Sequence, residues 1–486
     1  MQKTASILDQ YPHYEMNIGI EIHVQLTTKS KIFCSNANGP AQDANTNICP
    51  ICAGHPGVLP QLNKKVVDCA ILAGLATNCS ITRECTFARK HYFYPDLPKG
   101  YQTTQSTQPI CSEGYIPIRL ENGDIKNIRL IRIHMEEDAG KNIHASGTNE
   151  SFVDLNRAGT PLLEIVSYPD IASTYEARTY LKAVHAIVKC LNICSGNMEE
   201  GAFRADTNIS VRKKGAAELG TRCELKNINS FKFISDAIEY EIQRQIELLE
   251  SGKTIRQETR LWDTKSRESV VMRGKEEAAD YLYFTEPDLP IVRIDDAWLA
   301  RIQETLPELP DATFKRLMHA GLSDYEADIL VDDLDLVRYF DEAAGYTKSK
   351  QLINWILRDV MGYLKEHKIE LAEFKVTAQK LARIVDLVEQ GTINNNAAKL
   401  IFAEIAQTGA DPDTLVQEKG LAQIGSSDEL EAIVKEIIAA NPEQVAQYRS
   451  GKDKLFGFFV GQAMQKTKGN ANPKMLQDLI KKHLQP

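Results

Sequence analysis

Residues 18–26 read Ile-Gly-Ile-Glu-Ile-His-Val-Gln-Leu, a strict alternation of period two. Successive side chains of a strand point to opposite faces, so Ile18, Ile20, Ile22, Val24 and Leu26 share one face and Glu21, His23 and Gln25 the other. The segment can therefore only be a half-buried strand. Side chains at i and i+2 stand roughly 7 Å apart, close enough for Glu21 and His23 to converge on one cation. Carboxylate plus imidazole is a set that divalent metals accept. The same face could equally be the solvated side of an antiparallel sheet.

Three further segments repeat the pattern. In residues 128–135 the alternate set is Arg132 and His134, running into Glu136, Glu137 and Asp138. In residues 203–211, Phe203, Ala205, Ile209 and Val211 oppose Arg204, Asp206, Asn208 and Ser210, and Arg222, Glu224 and Lys226 alternate with Cys223 and Leu225. An ordinary solvent-facing sheet is filled with Thr, Lys, Ser and Glu. These faces concentrate His, Asp, Glu, Arg and Asn instead, which suits the floor of a polar cleft.

With 486 residues the chain exceeds what one core organises, so two or three domains are expected. Its 57 Lys and Arg against 66 Asp and Glu give a net charge of −9, which argues against a generally basic nucleic-acid coat. A local basic stretch exists: residues 442–486 hold eight Lys or Arg against three Asp or Glu, a net of +5. It fits an interaction module or a solvated helix face. No run of 18 apolar residues occurs, and residues 1–15 carry acids and no apolar core, so neither a membrane span nor a signal peptide is expected and the location reads as cytoplasmic. Ten cysteines in such a chain read as reduced thiols, with Cys190 and Cys194 as small core residues.

The predicted fold class is α+β followed by all-α. From Asn17 to about Arg293, alternating segments mix with a few helices. Ser173 and Glu176 make a capping-box pattern ahead of Leu181, Val184, Ile187, Val188 and Leu191. A second helix follows Ser230, with Ile234, Ile238, Ile242, Ile246 and Leu249 in register and Gly252 as its stop. Both stripes should cover the apolar side of the sheet and leave the polar side for a ligand. After Pro287, Pro290, Pro307 and Pro310 the periodicity is helical throughout, interrupted at Gly391, Gly409 and Gly420, with 408–412 as a hinge. The expected division is 1–294, 295–410 and 411–486.

No phosphate-binding loop, dinucleotide fingerprint or Gly-x-Ser-x-Gly elbow is present, so any nucleotide is bound some other way. Cys34, Cys49 and Cys52 form the only metal-like cysteine spacing; three thiolates need a fourth ligand, for which His55 is near in sequence, and buried free thiols are the alternative to zinc. Arg89, Lys90 and His91 precede Tyr92-Phe93-Tyr94-Pro95-Asp96-Leu97-Pro98-Lys99-Gly100. That block could clamp a substrate or be an ordinary packed loop.

Several long words in this chain resemble the B-subunit (GatB/GatE) family of tRNA-dependent amidotransferases. They are residues 20–26, Tyr92 to Lys99, His134 to Lys141, Val153 to Arg157 with Gly159-Thr160-Pro161, Met198 to Gly201, Glu224 to Phe231 and Val460 to Met464. The resemblance runs from about Tyr14 to the C-terminus. It implies a cradle-shaped N-terminal domain, a helical domain and a tail domain that contacts tRNA. It implies an ATP-dependent carbon–nitrogen ligase: the side-chain carboxylate of Glu-tRNA(Gln) or Asp-tRNA(Asn) is phosphorylated, and ammonia displaces the phosphate to give the amide. Ammonia would come through a tunnel from a glutamine-hydrolysing amidase partner, with a small third protein completing a heterotrimer.

Within that resemblance Glu21, His23 and Glu137 are assigned to magnesium, although strand parity puts Glu136 rather than Glu137 beside His134, so Glu137 requires the strand to end or bulge there. Magnesium prefers oxygen ligands, so His23 could instead hold a metal-bound water or help bind manganese. Arg204, Asp206, Glu224 and Lys226 would position the aminoacyl end or phosphates, and Lys90 and Lys99 are expected where ammonia arrives. Some relatives carry four cysteines; this chain has Asn36 where the second would stand, which weighs against zinc. The competing readings are a tRNA-binding scaffold without an active site and a metal-dependent amidohydrolase that needs no ATP.

Overall fold

The computed structural model describes residues 7–485 apart from 40, 42, 145–149, 229, 275–280, 424–426, 468–470 and 472. Asn229 of the 224–231 word and Lys468 of the basic stretch fall outside the described residues. The chain divides into two compact units, 1–316 and 317–486.

In chain order the strands of the first unit are β1 (Tyr14–Gln25), β2 (Ser80–Ile81), β3 (Glu84–Cys85), β4 (Ala88–His91), β5 (Tyr101–Thr104), β6 (Cys111–Arg119), β7 (Ile125–Glu137) and β8 (Lys141–His144). They continue as β9 (Ser151–Asp154), β10 (Pro161–Ser167), β11 (Phe203–Lys213), β12 (Cys223–Ile228), β13 (Glu258–Asp263), β14 (Glu268–Gly274), β15 (Leu282–Thr285) and β16 (Val292–Arg293). Nine of them form one sheet in the order β14-β13-β12-β11-β1-β10-β7-β6-β2, and β15-β4-β5 form a smaller one. The alternation of the opening strand places it centrally: β1 pairs antiparallel with β10 on one side and β11 on the other.

The apolar face of the sheet is covered by helices. Helix Thr174–Cys190 packs on β6, Phe231–Glu250 on β11, and Lys64–Ala76 on β7. Ile18, Ile20, Ile22 and Val24 share one buried core with Leu181, Ile187, Ile234 and Ile238. Each such aliphatic side chain contributes about 1.5–3 kcal/mol through burial. Both helix starts follow their caps: Ser173 Oγ accepts from Glu176 N at 3.0 Å and Ser230 Oγ from Phe233 N at 3.1 Å. Glu176 departs from the full capping box, since its Oε2 accepts from Ala172 N at 2.8 Å, one residue before the cap. Gly252 ends the second helix at φ +71°, which a residue with a Cβ adopts only under strain.

The described residues of the second unit are helical, as the periodicity beyond residue 295 predicts. The link at 408–412 is braced: Lys380 Nζ donates to Gly409 O at 2.6 Å, and Arg383 grips Asp413 through two bonds of 2.7 and 2.8 Å. Leu430, Val434, Phe459, Leu476 and Leu484 belong to a separate apolar cluster near the end of the chain. Among the described residues no helix is long and apolar enough to cross a membrane.

Candidate active site

Strand register assembles the site. His23 on β1 stands opposite Glu164 on β10, and Glu164 opposite His134 on β7. Neighbouring strands lie roughly 4.8 Å apart, so two imidazoles flank one carboxylate across three strands. Glu136, two residues beyond His134, faces the same side. His23 Nε2 lies 3.3 Å from Glu164 Oε2 and 3.6 Å from Glu136 Oε1, and His134 Nε2 lies 3.4 Å from Glu164 and 3.5 Å from Glu136.

Burial alone would lower the pKa of each imidazole. For His23 the hydrogen bond and charge of Glu164, with Glu136, outweigh burial and raise it. For His134 the charges of Glu164 and Glu136 push it up to about 9. Burial would raise Glu164, but the two rings hold it well below the ordinary carboxylate range. Arg132 Nε points at His134 Nδ1 from 3.3 Å, a contact suited to a neutral ring. Two carboxylates at Nε2 favour the charged ring more strongly than one such contact opposes it, and in either form the proton sits on Nε2.

Glu21 lies one step along the same face of β1. Asn208 Nδ2 donates to its Oε1 at 2.9 Å. Burial, and then the charges of Glu164 and Glu224, raise its pKa, with Lys226 opposing. Lys226 is shared between Asp206 Oδ2 at 2.5 Å and Glu224 Oε1 at 2.8 Å. Thr259 Oγ1 donates to the other oxygen of Glu224 at 2.8 Å.

These groups surround one cavity of about 410 Å³. Of the residues expected from sequence, Glu21, His23, Lys90, Glu224 and Lys226 line it, together with Arg132, His134, Glu136, Glu164, Asn208 and Arg222. Asp206 reaches it through Lys226. Lys90 Nζ sits 4.6 Å over the ring of Tyr281. Burial opposes its charge, but Tyr283, Glu136 and Glu164 outweigh burial and raise its pKa, so it stays an ammonium.

Glu137, Lys99 and Arg204 do not line the cavity. β7 remains regularly paired with β10 through Glu137, so the bulge that would turn Glu137 toward His23 is missing and parity sends it away. Its Oε1 pairs with Lys99 Nζ and accepts from Thr103 N at 2.7 Å. The structure does not bring Glu137 to His23; the side chains it gathers there are Glu136 and Glu164, whose carboxylate oxygens lie with a His23 ring nitrogen within 4.8 Å of one another. Arg204 Nη2 instead donates to Asp138 Oδ2 at 3.0 Å, which also accepts from Gln25 Nε2 at 2.9 Å. Gln25 and Arg157 line a second cavity of about 550 Å³.

Glu164, Tyr281 and Tyr283 are cavity residues that the sequence did not single out. Glu164 sits in Pro-Leu-Leu-Glu-Ile-Val-Ser, a strand buried on both faces, where alternation disappears. The one available signal was a lone carboxylate in an apolar run, which is rarely buried without a partner.

A second candidate metal group is formed by the cysteines. Cys52 Sγ lies 3.4 Å from Cys34 Sγ and 3.5 Å from Cys49 Sγ, and Lys31 Nζ, fully buried, approaches it at 3.7 Å. The hydrogen bond from Cys34 holds the Cys52 thiol down at about 5, while Cys34 is raised as the proton's keeper. Three converging sulfurs suit a tetrahedral ion such as zinc, and the ammonium offsets the surplus charge of a three-thiolate set. Asn36 donates to Asn47 Oδ1 at 3.2 Å.

Comparison with known proteins finds relatives over nearly the whole chain. The model of the GatB/GatE catalytic domain matches residues 16–300, and that of the GatB domain matches 338–484. An aspartyl/glutamyl-tRNA(Asn/Gln) amidotransferase B-subunit from Chlorobium phaeobacteroides (strain BS1) is 49% identical over 475 residues, covering 97% of this chain and 99% of the relative. Proteins of the same name from Syntrophotalea carbinolica and Geobacter sp. (strain M21) are each 50% identical, over 97% of this chain and 98% and 99% of their own lengths.

Proposed function

The chain belongs to the GatB/GatE family of amidotransferase proteins, as a B-subunit, and from that premise we propose that its polar cavity is where the side-chain carboxylate of Glu-tRNA(Gln) or Asp-tRNA(Asn) is phosphorylated by ATP and then amidated. The observation that carries this reading is the convergence of His23, Glu136 and Glu164, with Glu21 beside them, in a cavity that also holds Lys90, Arg132, Arg222 and Lys226. A carboxylate is a poor electrophile because oxide would have to leave. Phosphorylation replaces it with a phosphate leaving group, which ammonia displaces as the amide forms.

Glu136 and Glu164 supply the oxygens that magnesium prefers, and His23 either binds directly to a softer ion or holds a water. Magnesium, when bound, neutralises the triphosphate during transfer. Glu21, raised among carboxylates, is ready to ionise fully beside added positive charge. Lys90, held as a cation, suits phosphate or carboxylate binding rather than taking a proton from ammonium. Lys226 is largely spent on Asp206 and Glu224 and therefore orients those carboxylates. Arg204 and Lys99 act through Asp138 and Glu137 as positioning groups at the margins.

This reading takes ammonia from an amidase partner, braced by a small third protein of the heterotrimer in the cytoplasm, with residues 411–486 as the part that grips tRNA through the net charge of +5 on 442–486. The cysteine cluster is assigned a structural zinc. Purified chain, amidase partner, Glu-tRNA(Gln), glutamine and magnesium, mixed with and without ATP, test it. Amide formed only with ATP supports the ligase; amide without ATP, or none under either condition, overturns it.

A further inference from the structure

Strand register lays the polar face of the sheet out in rows. In one row His23, Glu164 and His134 stand side by side across β1, β10 and β7, and the carboxylate in the middle serves both rings. In the adjacent row the same three strands present Glu21, Val166 and Arg132. With valine in the middle, Arg132 meets no carboxylate on the neighbouring strand, and Glu21 stands two strand spacings away, roughly 10 Å between backbones.

Arg132 lines the polar cavity and is partly buried. Among the described residues it forms no ion pair, and its one hydrogen bond runs from Nε to His134 Nδ1 at 3.3 Å. Both Nη groups are therefore left without an acceptor among the described residues. The acids around it are engaged elsewhere: Glu136 and Glu164 by the two imidazoles, Glu224 by Lys226 and Thr259, and Glu21 by Asn208. The other cations of the cavity differ from Arg132. Lys226 is held by Asp206 and Glu224, Lys90 lies over the ring of Tyr281, and Arg222 is exposed, where water satisfies it. A guanidinium partly withdrawn from water on a central strand, with its fork unused, is a seat for an anion that the chain itself does not supply.

We propose that Arg132 holds the side-chain carboxylate of the aminoacyl group, its Nη groups gripping both oxygens of the glutamyl or aspartyl acid. This rests on the function proposed above and adds the residue that binds the acid to be phosphorylated. The planar fork matches a carboxylate in two parallel bonds, which a point charge such as lysine cannot do. Only the His134 ring separates Arg132 from Glu136 and Glu164, so an acid seated there lies beside the candidate metal group. Held in this way, each oxygen keeps a lone pair with which to attack phosphorus.

The test uses the assembled enzyme with Arg132→Gln and Arg132→Lys. Filter binding, with magnesium and without ATP, compares Glu-tRNA(Gln) with Gln-tRNA(Gln), which lacks the acid. Arg132→Gln should weaken Glu-tRNA(Gln) roughly ten- to a hundredfold and leave Gln-tRNA(Gln) and KM for ATP as in wild type. Arg132→Lys keeps the charge without the fork and should lose part of the same preference; where Arg132→Gln does not assemble, this variant decides. An unchanged preference between the two tRNAs overturns the inference. So does equal weakening of both, or a rise confined to KM for ATP, which would seat the γ-phosphate on Arg132 instead. Binding without ATP asks nothing of the phosphoryl step, so its failure is distinct from failure of ATP-dependent amide formation by the wild type.

Discussion

Replacing Glu164 with glutamine removes a charge while keeping the side chain's shape. Its Oε2 lies 3.3 Å from His23 Nε2 and 3.4 Å from His134 Nε2, so both rings lose a charged acceptor together. His134 is held at about 9, against an ordinary value near 6.5. At roughly 1.4 kcal/mol per pH unit, that interval is worth about 3 kcal/mol to the folded state. A histidine raised on folding contributes this stability fully below pH 6.5 or so and loses it as pH climbs to about 9. Stability should therefore fall across that window in the wild type and stay flatter in Glu164→Gln, where Glu136 alone supports the rings. Histidine-selective NMR, with His134→Gln to assign the signal, reads the titration directly, and urea unfolding at pH 6 and 9 reads its consequence. The expected result is a wild-type midpoint near 9 that drops by at least a unit in the variant. A wild-type midpoint near 6.5, or one unmoved by the substitution, would refute the electrostatic argument.

Glu21→Gln and Glu136→Gln should each cut amide formation by about a hundredfold or more, because each removes charge from the phosphoryl-transfer site; filter binding should show tRNA affinity nearly unchanged, and parallel loss of both would point to misfolding. Lys99→Met leaves Glu137 buried without its partner and should cost about 3–5 kcal/mol in urea unfolding, while the double variant with Glu137→Gln should recover part of it, so additive losses would contradict a coupled pair. Cobalt(II) added to metal-free protein should produce thiolate charge-transfer absorption that disappears in Cys52→Ser; absorption that survives this change would place the ion elsewhere.

The β1 alternation made one sheet face legible, because period two is rigid and its polar members are chemically distinctive. Both major helices could be read from their caps and stripes. Glu164 could not, since a strand buried on both faces carries no alternation, and its meaning comes from register with His23 and His134. Glu137 shows the converse: parity already favoured Glu136, and the regular pairing of β7 follows parity. Lys99 finds its partner 38 residues away in sequence, and Tyr281 reaches Lys90 from another strand neighbourhood, contacts that no local spacing encodes.

Oxygen-18 in the side-chain carboxylate of Glu-tRNA(Gln) follows the reacting atom itself. If the cavity moves a phosphoryl group onto that carboxylate, one labelled oxygen must appear in the released phosphate for each amide formed in the presence of ATP and ammonia. Amide accompanied by unlabelled phosphate would contradict phosphorylation of the carboxylate.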